Sequence, residues 1–187
     1  MANCPNYNCL DALGDHVPND CGEELLGGAS GVLLLECNHQ LLDPSNAAQV
    51  QAEIDANRAT LIKGVKIGIN APSPVKVDSN AACVNQKLAT YDRTGSYVDG
   101  NVSALNVEFY KPIFAGRAFG GIVIYECGTE ESDAGAQITW IDSVVSFEGG
   151  RLLPVNNNEF QRFEGAFNWR SKFDADIFPA PAGIFTD

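Results

Sequence analysis

A chain of 187 residues with 45% hydrophobic content suits one domain of ordinary size, and 18 glycines with 9 prolines favour short strands and many turns over a helical bundle. Twelve Lys and Arg stand against 24 Asp and Glu, a net charge of −12 with no basic run. That excludes sequence-specific nucleic-acid binding from the expectations, because tight phosphate contact needs clustered cations that release counterions.

Residues 1–30 read as an N-terminal arm or cap, with three cysteines, Pro5, Pro18 and Gly27-Gly28 but no sustained period. Val32-Leu33-Leu34-Leu35 then reads as a buried strand bounded by Gly31 and the polar Asn38-His39-Gln40. The first helix is expected from Pro44 to Asn57. Asp43 caps it, Pro44 suits its first position, and Ala47, Val50, Ile54 and Leu61 fall near one face. Gly64 breaks the pattern, after which Val65, Ile67 and Ile69 alternate with Lys66 and Gly68 as a half-buried strand.

One or two strands are expected between Val75 and Tyr97, with a turn at Thr94-Gly95. A short helix over 101–114 would be capped by Asn101, with Leu105, Phe109 and Ile113 inward and Pro112 disturbing its last turn. Gly120-Gly121 leads a buried strand, Ile122 to Tyr125, and a polar loop spans Gly128 to Gly135. Ile138 to Phe147 reads as a longer strand. A third carries Phe163, Gly165, Phe167 and Trp169 on one face and Arg162, Glu164, Asn168 and Arg170 on the other. These three form a meander ending at Trp169. The segment 176–187 is a C-terminal arm stiffened by Pro179-Ala180-Pro181.

The fold expected is therefore mainly β with one or two short helices: a β-sandwich or barrel core over 31–175, with extended N- and C-terminal arms. The longest apolar run, Val32 to Leu35, is too short to cross a bilayer, so no membrane partner is expected. The first residues, Met1-Ala2-Asn3-Cys4, lack the features of a signal peptide, and synthesis in a cytoplasm is the expectation. For that reason Cys4, Cys9, Cys21, Cys37, Cys83 and Cys127 read as free buried thiols, not as a disulfide framework.

No residue pattern points to chemistry. Cys4, Cys9, His16 and Cys21 offer zinc-ligand types, but C-x4-C-x6-H-x4-C is not the spacing of a structural zinc site, so no metal is expected. Cys37 and His39 share a strand face without an orienting third group. Glu23-Glu24 and Glu130-Glu131 are adjacent acids of solvated faces, and neither G-x-G-x-x-G nor a P-loop occurs. An enzyme and a cofactor are not expected. The apolar residues of the tail, Ile177, Phe178, Ile184 and Phe185, are the candidates for a subunit interface, since a pre-extended segment loses less entropy on docking.

A possible helix from Asn101 to Phe114, a glycine-led strand from Gly120 to Cys127, a longer strand from Gln137 to Phe147 and an aromatic strand from Phe160 to Trp169 follow one another. That order resembles the sheet-and-helix core of tailed-bacteriophage tail tube proteins. The resemblance implies a virion protein made in the host cytoplasm, which partners copies of itself and other virion proteins in rings stacked into a DNA conduit. Acidic walls fit, because they repel phosphate. Two alternatives remain: a head decoration protein, and a ligand- or glycan-binding β-sandwich module using Tyr97, Tyr110 or Trp140.

Overall fold

The computed structural model describes residues 29–37, 41–74, 91–126, 136–153, 161–171 and 174–185. In chain order the elements are β1 (Ala29–Leu35), α1 (Ala47–Asp55), β2 (Ala59–Ile69), β3 (Ser73–Pro74), β4 (Tyr91–Asp99), α2 (Ala104–Phe114), β5 (Ala118–Phe119), β6 (Gly121–Glu126), β7 (Gln137–Ile141), β8 (Val145–Leu152), β9 (Arg162–Ser171) and β10 (Asp176–Pro179). The fold is mainly β with two short helices, as the composition indicates. All pairings are antiparallel, in the order β10-β7-β6-β1-β2-β4-β9-β8-β5, with β3 beside β4.

The sheet is not closed into a barrel, yet it curls because two of its strands bend. In β2 the register slips by two residues between the Gly31–Lys63 and Ala29–Ile67 pairs, and Gly64 sits in that bulge at φ 71°. Across Gly64 the alternation reverses. Ile62 before it and Val65 and Ile67 after it all enter one core, while Ala59 and Leu61 enter the other. The expected break at Gly64 is thus a bend within one strand.

The second bend lies in a long hairpin. Ile122 faces Ile141, and Phe119 faces Val145, so 118–126 and 137–146 run together with a one-residue slip at Gly120 and 142–144. The expected strand from Ile138 to Phe147 is therefore broken into β7 and β8. The meander holds in its order, with β6 against β7 and β8 against β9. Glycine is required at this corner: a Cβ on Gly120 would sit 2.6 Å from the Glu36 carbonyl oxygen, and one on Gly121 2.6 Å from the Trp140 ring.

Two main apolar cores result, beside a small third cluster of Cys37 and Ala118. The larger lies inside the curl and takes Val32, Leu34, Ile122 and Ile124 from the central strands, Phe163, Phe167 and Trp169 from β9, and Phe109, Tyr110 and Ile113 from α2. The smaller lies behind β1, β6 and β7, where Leu33, Leu35, Val123 and Ile138 are covered by Val50 of α1 and by Ile184 and Phe185. Both faces of β1 and β6 are buried, which explains their unbroken apolar runs.

The helices depart in detail from the sequence expectation. Asn46, not Asp43, caps α1, accepting from the amides of Ala48 and Gln49; Asp43 instead accepts from Ser45 in the turn before it. The helix therefore starts at Ala47, and Asn57 at φ 54° ends it in the left-handed conformation that asparagine tolerates. Leu61 belongs to β2. In α2 the cap is Ser103, Leu105 is exposed, and the helix reaches Phe114 with Pro112 inside its last turn. Thr94-Gly95 is no turn. Gly95 lies within β4 because the ring of Phe167 occupies the space a side chain would need.

Candidate functional site

β4, β8 and β9 expose one face to solvent. Cross-strand pairing sets Asp92 beside Arg170, and Thr94, Asn168 and Ser146 in one row; Ser96, Ala166 and Glu148 make the next. None of these residues is buried, and no described element packs over them. Part of this face is an open trough of about 560 Å3, lined by Asp92, Arg93, Thr94, Val144, Ser146, Asn168, Trp169 and Arg170. Alternation along β9 places Trp169 in the larger core, and Arg93, its neighbour on β4, is buried and paired with Asp174.

The electrostatics of the trough follow from its pairs. Arg170 is held by Asp92, Arg162 by Glu164 at 2.8 Å, and Asn168 donates to Glu148. Elsewhere Arg58 makes a two-pronged contact with Glu53, Arg93 meets Asp174 at 2.7 Å, and buried Arg117 meets Glu36 at 3.0 Å. Five of the six arginines of the chain thus stand against a carboxylate, leaving the acidic excess to set the surface potential.

A second polar group is wholly internal. Asp99, fully buried, accepts from Tyr110 Oη at 2.9 Å and from the Asn101 amide at 2.8 Å, and buried Asn106 donates to the Asn101 carbonyl. This network ties the end of β4 to the start of α2. Burial, and then the Asp99 charge, hold the Tyr97 and Tyr110 phenols well above the usual tyrosine range. Such residues are sealed from substrate and act as a structural clasp. Tyr97 Oη is buried without a hydrogen-bond partner.

The four tail candidates separate. β10 is an edge strand of the sheet, paired with β7. Phe178 is half-buried over the smaller core. Ile184 and Phe185 are buried in it, with the Phe185 ring stacked on Tyr125 at 4.6 Å. Ile177 is 65% exposed and is the one of the four that shows its side chain to solvent. The described part of the arm is therefore folded back on its own domain.

Tyr97, Tyr110 and Trp140 are all buried, so none offers an exposed platform for a sugar ring. Cys37 is disulfide-bonded, which corrects the free-thiol expectation at that position; the expectation for the other five cysteines lies outside the described residues. As a half-cystine it carries no S–H, so its 3.4 Å approach to the Ala118 carbonyl is a packing contact. His16, His39, Val75 and the loop 128–135 also lie outside them. Among the described residues no group of His, Cys, Asp and Glu is arranged to hold a metal ion, and no helix is long and apolar enough to cross a membrane.

No protein-family model, curated protein or solved structure matches the chain. The trough residues were not singled out in the sequence as a site, because they are ordinary polar residues drawn from three strands. Their one sequence signal is the polar half of the alternation along β9.

Proposed function

We propose that the chain is a self-assembling structural subunit of a bacteriophage virion, with the tail tube, a conduit for DNA, as its role. The observation that carries this reading is the polar face of β4, β9 and β8, which no described element covers. A conduit wall must be wet, and it must not hold phosphate. Small polar side chains supply the first property. Arginines already committed to Asp92 and Glu164 supply the second, because a guanidinium paired with a carboxylate has less to offer a passing phosphate.

The opposite face of the same wing packs into the larger core, which gives the wall a rigid backing. Arrangement of the sheet fits a structural part better than an enzyme. The buried polar network is closed off, and the open trough holds no nucleophile beside a base among the described residues.

The test is light scattering with negative-stain electron microscopy over a concentration series. Rings or hollow tubes are the expected result. Binding only to preformed capsid shells would replace the reading with a head decoration protein, and a monomer under all conditions would remove it.

A further inference from the structure

Resting on the structural-subunit reading, we propose that copies of this chain are joined by exchange of the C-terminal segment 176–185, which leaves its own β7 and takes the same place on β7 of a second copy. The argument begins with the phase of the β10 ladder. Ala180 donates its N–H to the Ala136 carbonyl at 3.0 Å, and the register continues through Phe178–Ile138 and Asp176–Trp140. Antiparallel pairs alternate, so Phe178 and Asp176 turn their backbone groups toward β7, while Ile177 and Pro179 turn theirs outward. Pro179 has no N–H. Within β10, Ile177 alone can donate to a strand added from outside, and a blunted edge of this kind resists strand addition.

The edge of β7 beneath it is different. Residues 136–141 contain no proline, and their side of the ladder is fully receptive once β10 is lifted. The occupant this groove accepts is already visible. It takes Phe178 above the smaller core and stacks Phe185 on Tyr125, with the Phe185 ring held close by the absent side chain of Gly31. Exchange repeats these contacts between copies and needs no new surface. Pro179 and Pro181 keep the segment extended, which lowers the ordering cost of rebinding.

The test traps the ladder. Ile177 and Thr139 face each other at a non-hydrogen-bonded pair, where antiparallel strands come close enough for a disulfide. Thr139→Cys with Ile177→Cys is prepared in light and 15N-labelled forms, checked for native circular dichroism, mixed under assembling conditions and oxidised. Mass spectrometry then reads the linked peptides. Mixed-isotope links in about half of the pairs are expected for free exchange between copies. Assemblies whose links all lie within one isotope would overturn the exchange and leave the structural-subunit reading standing; absence of assembly would overturn both. A second measurement needs no substitution: an excess of a synthetic peptide of residues 174–185 is expected to shorten assemblies of the native chain, with a scrambled peptide inert. Equal lengths with both peptides would count against exchange.

Discussion

The two wings of the sheet are built from the same antiparallel ladder and differ in what lies on their second face. Around β1, β6 and β7 both faces are covered, one by the curl and one by α1 and the returning C-terminus. Around β4, β9 and β8 the described elements cover only the inner face, and the outer one is polar. A strand buried twice must be apolar throughout, whereas a strand buried once needs only alternate positions. The second wing is therefore free to carry surface chemistry at no cost to the core.

The comparison can be broken most sharply where packing leaves no room. Gly95→Ala places a methyl group inside the Phe167 ring, and a loss of about 3 kcal/mol or more is expected in urea denaturation. In the doubly covered wing, Leu33→Ala is expected to cost about 2–5 kcal/mol, the range for emptying a closed core site. Ala166→Ser on the open face should shift stability by no more than about 0.5 kcal/mol. A large effect there would mean that the outer face is covered after all.

The inner face at the junction with α2 is tested by pH. Tyr97 and Tyr110 ionise at about pH 10 in the unfolded chain and well above that in the fold. Their pKa values are raised, so the stability they confer is complete below the unfolded value and falls as pH rises past it. The expected slope is about 1.4 kcal/mol per pH unit for each tyrosine, with two phenols silent at 295 nm until the chain unfolds. Phenolate absorbance from all five tyrosines in the folded protein would contradict this. At the same junction, Tyr97→Phe removes a buried hydroxyl that has no partner, and a gain of up to about 1 kcal/mol in the thermal transition is expected.

What could be read from the sequence follows the same division. Val32 to Leu35 and Ile122 to Tyr125 were legible as buried strands because double coverage forces a continuous apolar run. Phe163, Phe167 and Trp169 were legible because single coverage forces alternation. Gly95 was misread as a turn, since a glycine signals either a turn or a close approach, and the deciding partner, Phe167, is remote in the chain. The bend at 142–144 did leave a mark, since strands disfavour Asp142 and turns favour Asp142 and Ser143, but the apolar residues on both sides read as one run. Asp43 and Asn46 are both good caps, and only the packing of Val50 and Ile54 on the smaller core selects the second. The trough was invisible for a plainer reason. It is defined by what does not cover it, and coverage is a property of the whole fold.

The most direct test of the conduit reading is electron cryomicroscopy of the assembled protein at a resolution that traces strands. The expected map is a hollow tube in which Thr94, Ala166, Asn168 and Ser146 line the lumen. A tube with that face packed against another layer, or facing outward, would contradict the assignment of the open wing as the wall that DNA passes.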